Sequence, residues 1–459
     1  MKKQNEWERL QFSSIPDREN DIPPWYNEIY LMKTTGAKNL FSAFVASLLF
    51  VVTVPVVMGY KISSGEGTSY ALFLVYFLLN IGNILYSLIT TGVSKKVEIT
   101  KTILTWTIVL LVLVGSIGSA IIDRGRIAPG QNYKTHDIIL QLEAAVRYLG
   151  DGKNPYKETY FGTPMEQWHY GEGDKDMINP ALYHFVMPPW YLLSAYPFYY
   201  VSMRTVGYFD GRMPLLAASI GLLVVLYMWL KNKDIARLAI IVIGLNPASI
   251  GYLIEGRSDM LVLWWFVLSL FLIEKKKYIW SAVMVALAAL TKQTAWFAVP
   301  LVLGYLLLVK KVSMKQFIGY VVTGSIVGAL FVVPFLAWDA KAFLDSVIFY
   351  LSGNSPNSYP ISGYGLGMLL INLKVIPDTH AFFPFMVWQL GAGIPGLVAG
   401  IACLKKYQSI GFVCIVHAIT LFLFWYTSRY FNNSHVAYIA TLLSIGVFKL
   451  WDEEKMFSV

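Results

Sequence analysis

Residues Thr135 to Tyr156 read THDIILQLEAAVRYLGDGKNPY, a polar, acid-bearing segment set between long apolar runs. From Ile138 the apolar residues Ile138, Leu142, Val146 and Leu149 recur at helical spacing, with Gln141, Glu143 and Arg147 on the other faces. That pattern predicts an amphipathic helix lying on a membrane surface. Asp137 opens the helix, in or near its first turn.

The flanks of this segment set the class. The chain has 459 residues, is 56% hydrophobic and only 14% charged, and much of it falls into apolar runs long enough to cross a hydrocarbon core of about 30 Å. Runs read as spans are 40–60, 69–90, 103–122, 213–230, 260–274, 278–291, 294–310, 316–337, 381–404, 409–427 and 436–450, with two less regular runs at 188–209 and 238–253. The expected fold is therefore all-α: a polytopic transmembrane helical protein of about 12–13 spans, with a first polar loop carrying amphipathic surface helices. The first 39 residues are polar, so no cleaved signal peptide is expected and the first span should act as the insertion signal.

A formal net charge of +9 invites a nucleic-acid reading, but the Lys and Arg residues cluster between spans, as the positive-inside rule expects. No nucleic-acid partner is expected. Cys403 and Cys414 both fall in or near C-terminal spans, which argues against a disulfide-stapled loop or a Cys-based metal site.

With Lys95/Lys96, Lys275/Lys276/Lys277, Lys310/Lys311 and Lys405/Lys406 cytoplasmic, alternation brings the polar segments 123–187, 255–259, 291–294 and 428–435 to the external side, joined by the loop 339–362. This convergence points to one external active site. Between residues 187 and 255 the number of crossings must be even, yet three apolar runs are available. One must be re-entrant or broken: Pro188, Pro189 and Pro197 favour the first, and Asn246-Pro247 the third.

The order Asp137, Ala144-Ala145, Leu149, Gly152, Asn154-Pro155-Tyr156 resembles the first external loop of GT-C membrane glycosyltransferases, especially polyprenyl-phosphate-mannose-dependent mannosyltransferases. Further matches follow in order: Tyr183-His184, Pro188-Pro189-Trp190, Asn246-Pro247, the run Glu255-Gly256-Arg257-Ser258-Asp259, Leu290-Thr291-Lys292-Gln293-Thr294 and Arg429-Tyr430-Phe431-Asn432. The resemblance covers about residues 100–450. It implies a cytoplasmic segment 1–39, an additional N-terminal hairpin 40–100, a GT-C-like module 101–338 with catalytic loop 123–187, and an external loop with C-terminal helices at 339–459.

The resemblance further implies transfer of a mannosyl or related hexosyl group from a polyprenyl-phosphate carrier to a lipid, glycan or protein hydroxyl, on the external face of a prokaryotic plasma membrane. Asp137 is the candidate base, since a carboxylate within reach of a hydroxyl can take its proton as the new bond forms. By analogy with inverting glycosidases, one base and in-line loss of phosphate would invert the anomeric centre. The plainer reading of Asp137 is a helix cap.

The leaving phosphate needs cations, and Arg429, Lys292 and Arg257 each stand at an external span end. Arg429 leads because it sits in the polar cluster 427–435, although a snorkelling arginine is the bland alternative. His136 and His435 are candidates for proton relay or phosphate contact. Glu255, Asp259, Asn154, Tyr156 and His184 are candidates for sugar or acceptor binding, and Trp168, Tyr170 and Tyr183 for stacking. Where related mannosyltransferases carry a second acid two residues before the base, this chain has Thr135, so no metal site or other cofactor is expected. Gly353, Pro356 and Pro360, followed by Gly363, Gly365 and Gly367, suggest a loop able to gate lipid access. The rival classes are a transporter or flippase of a lipid-linked substrate and a noncatalytic assembly subunit, but no internal repeat supports the first.

Overall fold

The computed structural model describes residues 40–57, 66–90, 94–168, 178–246, 249–257, 259–350 and 357–457. Residues 1–39, Tyr170, Pro247, Ser258, Gly353 and Pro356, all named above, lie outside the described residues. The helices are α1 (Leu40–Val57), α2 (Glu66–Ile89), α3 (Lys95–Ile127), α4 (Asp137–Gly150), α5 (Pro189–Thr205), α6 (Arg212–Trp229), α7 (Lys233–Gly244), α8 (Ile250–Glu255) and α9 (Asp259–Glu274). They continue as α10 (Tyr278–Thr291), α11 (Ala298–Leu308), α12 (Met314–Leu344), α13 (Leu366–Asn372), α14 (Phe385–Tyr407), α15 (Gly411–Tyr426) and α16 (Asn433–Phe457). Among the described residues, six helices are long and apolar enough to cross a membrane, and four shorter apolar helices accompany them. The fold is an all-α polytopic membrane protein.

Long polar links define the two ends of the bundle. At one end Ser42 and Arg237 reach Asp234, Trp229 donates to Glu274, the backbone N–H groups of Lys231 and Asn232 donate to Asp452, and Ser409 donates to Glu453. The four predicted Lys clusters fall at this end, at the start of α3 and the ends of α9, α11 and α14. At the other end Arg124 meets Glu143, the His136 N–H donates to the Glu255 carbonyl, and a short parallel pairing joins β1 (Ser362–Gly363) to β2 (Tyr430–Phe431).

Helix α12 shows how the sequence sets exposure. Ser313 and Gln316 form a capping box that starts it, and along the helix only Tyr320, Phe335 and Phe343 are buried. Met314, Ile318, Val322, Ile326, Leu330 and Val333 stand exposed, an apolar face that water would reject and lipid accepts. The helix departs from helical geometry at Asp339, beyond Pro334.

The crossing conflict resolves through α5. Its start is tied to α4 through Gln141, which donates to the carbonyls of Ala181 and His184 just upstream, while past its end the Gly211 N–H donates to Glu143. Tyr196 and Tyr199, in the middle, face Gly150 at the end of α4. The run 188–209 therefore lies along α4 at one end of the bundle and does not cross. The run 238–253 is interrupted at Leu245, where α7 ends, and resumes as α8; together they make one traverse, from Asp452 at one end to His136 at the other.

Helix α4 also departs from expectation. A surface helix would keep Gln141 and Glu143 in water, but both are buried. The segment around residues 178–187 covers the first and the turn at Asp210–Arg212 covers the second, so the polar face of α4 meets protein on both flanks.

Candidate active site

A cavity of roughly 280 Å³ opens at the end of the bundle that carries α4. His136, Asp137 and Gln141 come from α4 and its cap, Trp168 and Met187 from the first polar segment, Arg257 from the α8–α9 link, Asp259 from the start of α9, Lys292 from the α10–α11 link, Tyr359 from the loop before β1, Tyr430 from β2, and Asn432, Ser434 and His435 from the entry to α16 and its first turn. Residues far apart in sequence share this space because every segment that supplies them ends at the same level.

The helix cap belongs to His136, whose backbone is extended; Asp137 is the first helical residue and is 4% exposed. Asp137 Oδ1 lies 2.5 Å from His136 Nδ1, while Oδ2 accepts from Asn179 at 3.3 Å and from the Tyr359 hydroxyl at 3.4 Å. Burial pushes the carboxyl up, but His136, Asn179 and the Ile138 N–H more than offset that and hold Asp137 below the usual carboxylate range. The group is ionised at neutral pH and ready to accept a hydroxyl proton, with modest intrinsic basicity. The Tyr359 hydroxyl marks a point from which an O–H reaches this carboxylate.

The lining also carries cations. Lys292 Nζ is 2.7 Å from Asp259 Oδ1, both about one-fifth exposed. Arg257 donates to Ser434 Oγ at 2.9 Å, lies over the Tyr252 ring at 4.6 Å, and has its Nε 3.9 Å from Glu255. His435 Nδ1 accepts the Asn432 N–H at 2.9 Å, which assigns the ring proton to Nε2.

Other expected site residues stand elsewhere. Arg429, 6% exposed, donates through Nε to the Tyr359 carbonyl and through Nη2 to His380, and is absent from the cavity lining; burial lowers its pKa from the usual guanidinium value. Its cation secures the loop that carries Tyr359. Asn154 caps the Tyr156 N–H, and the Tyr156 hydroxyl donates to the Met187 carbonyl while its ring packs on Phe185, Phe335 and Phe343. Both shape the wall from behind. The His184 Nδ1 lies 3.5 Å from Ser346 Oγ, and Glu255 contributes its backbone carbonyl to His136; neither lines the cavity. Among the described residues no three His, Cys, Asp or Glu side chains converge as a metal-holding group.

Sequence reading missed Asn179 and Tyr359, which lack a distinguishing local pattern, and Gln293. The Gln293 amide donates to the carbonyls of Val186 and Val347 at 2.8 and 3.1 Å. Through it the polar cavity abuts a second, apolar one of roughly 470 Å³, lined by Pro188, Pro189, Leu290, Trp296, Gly324, Gly328 and Val347 among others, between the start of α5 and helices α10, α11 and α12.

No curated protein matches the chain. The model of glycosyltransferase family 87 matches residues 185–450, which include Arg257, Asp259, Lys292, Tyr359 and His435 of the cavity but begin beyond Asp137. Since that match covers more than half of its length and carries the cavity's cations, the chain belongs to glycosyltransferase family 87, a GT-C-type family of membrane glycosyltransferases.

Proposed function

We propose that this glycosyltransferase moves a hexosyl group, mannosyl or a close relative, from a polyprenyl-phosphate carrier to a hydroxyl of a lipid, glycan or protein acceptor, with inversion. The observation that carries this reading is the adjacency of the two cavities: Val186, Met187 and Lys292 line a charged one of roughly 280 Å³, Pro188, Pro189, Leu290 and Val347 line an apolar one of roughly 470 Å³, and Gln293 bonds the carbonyls of Val186 and Val347 between them. An amphiphilic donor fits both, its phosphate and sugar in the first and the near part of its prenyl chain in the second. A nucleotide sugar would leave the apolar cavity unused.

The acceptor O–H donates its proton to Asp137 as its oxygen bonds to the anomeric carbon; the bond from that carbon to the phosphate oxygen breaks, and polyprenyl phosphate leaves with the electron pair. Lys292, Arg257 and the His435 Nε2–H face the developing phosphate charge, where fixed cations in a partly dry site act most strongly. Asp259, paired with Lys292 at 2.7 Å, stands beside the phosphate site to accept from sugar hydroxyls. We expect transfer to survive a chelator, since among the described residues no three His, Cys, Asp or Glu side chains converge as a metal-holding group.

The Lys clusters lie at the end opposite the cavity, which under the positive-inside rule supports a site on the non-cytoplasmic face, and we place it on the outside of a prokaryotic plasma membrane from the resemblance. Purified protein in liposomes, offered polyprenyl-phosphate mannose or a nucleotide sugar, tests the reading. Transfer from the lipid phosphate alone, with chelator present and an inverted product by NMR, is expected. Exclusive use of the nucleotide sugar, retention, or lipid translocation without transfer would overturn it.

A further inference from the structure

Four charged side chains lie beneath α4 and take no part in the cavity: Arg124 at the end of α3, Glu143 in α4, and Asp210 and Arg212 at the turn into α6. None is more than 2% exposed. Arg124 donates to both Glu143 oxygens at 2.7 and 2.8 Å and to Asp210 Oδ2 at 3.0 Å. Arg212 donates to both Asp210 oxygens at 2.9 and 2.7 Å, and its other N–H groups reach the carbonyls of Ile254 and Ala120, each at 3.1 Å. Burial works against the Asp210 charge, but the Arg212 hydrogen bonds and the Arg124 charge hold its pKa at about 2.

Stability alone is a poor reason for such a cluster, since apolar side chains of similar volume commonly replace buried ion pairs without loss. Bidentate pairing supplies direction instead. What it directs is the first turn of α4. Glu143 is on α4 itself; the residue after Ile254 is Glu255, whose carbonyl takes the His136 N–H at 2.9 Å. Ile139, two residues past Asp137, is seated between Gly211 and Gly256, and a Cβ on Gly211 would stand 3.3 Å from it. Gly256 has φ +103°, and a Cβ there would press on both Ile139 and Arg212.

We propose that the Arg124–Glu143–Asp210–Arg212 cluster is a positioning device, fixing the rotation and axial place of α4 so that the Asp137 carboxylate faces the cavity. The proposal rests on Asp137 as base. Its test is the paired variant Arg124→Met/Glu143→Leu, which removes one charge of each sign and leaves Asp210 with Arg212. Thermal melting of the purified protein near the wild-type midpoint is expected, with kcat lower by about 10- to 100-fold, the scale of a misplacement near 1 Å, and donor KM within about threefold. In an Asp137→Asn background the same pair should cost no more than about twofold further, because the two changes act through one group.

Wild-type kcat in the folded paired variant would overturn the proposal. So would a rise in KM alone, or a kcat loss carried undiminished into the Asp137→Asn background. Failure of the base assignment itself would show separately, as near-wild-type transfer by Asp137→Asn alone.

Discussion

The two ends of the bundle are both rich in charge but use it differently. At the end with the Lys clusters, the buried charges are consumed by the fold: Lys449 pairs with Glu274 at 3.1 Å and Glu453 at 3.6 Å, Arg237 with Glu98 and Asp234, and Asp452 accepts two backbone N–H groups. At the α4 end, Asp137, Asp259, Lys292 and Arg257 stand around open volume, each also held by a neighbour from another segment or its own. A charge at a span end thus carries no function by itself. Function follows where the held charges still face space.

Substitutions at the two ends should therefore fail in different ways. The largest effect is expected at Asp137. Asp137→Asn keeps size while removing the proton acceptor, and transfer should fall by about 10²- to 10⁴-fold with melting unchanged. Loss of fold in this variant would return Asp137 to a purely structural role. Because its pKa is depressed, the ionised form persists as pH falls until below the ordinary aspartate value near 3.9, so the wild-type rate should show no acid limb from that value up to neutrality. An acid limb near pH 6 would mean that another group titrates.

Next comes Lys292→Ala, expected to raise donor KM by about 10- to 100-fold, the scale of a charge-assisted hydrogen bond, while Lys405→Ala at the other end leaves it unchanged. Arg429→Ala should act less on the donor than Lys292→Ala does, since its guanidinium is engaged by the carbonyls of Tyr359 and His380. A larger effect at Arg429 in donor titrations would restore it as the main phosphate ligand. The smallest kinetic effect belongs to Lys449→Met, which should lower the melting temperature by several degrees and leave kcat and KM at wild-type values. Altered kinetics there would erase the contrast between the ends.

The class was legible in the sequence, and so was the end of the bundle at which the candidate site's residues gather, because apolar run length and Lys clustering report directly on what water and lipid tolerate. It did not disclose which polar groups would be covered. Helical spacing puts Glu143 on a different face from Asp137, yet only tertiary packing reveals that the Asp210–Arg212 turn covers that face. Likewise, the polar cluster 427–435 puts Arg429 ahead of Lys292 as a phosphate ligand, and only the course of the loop through Tyr359 shows the Arg429 guanidinium engaged there. Proline content marked both irregular runs between 187 and 255, but could not say that 189–205 lies along α4 whereas the other resumes and crosses.

The central claim, that the cavity at the α4 end is where a lipid-phosphate sugar reacts, is tested most directly by a structure of the Asp137→Asn protein with a polyprenyl-phosphate sugar. The phosphate is expected within hydrogen-bonding distance of Lys292 and Arg257, with the first prenyl units between α10 and α12. Density for the phosphate at the Lys-cluster end, or a chain that avoids the apolar cavity, would contradict it.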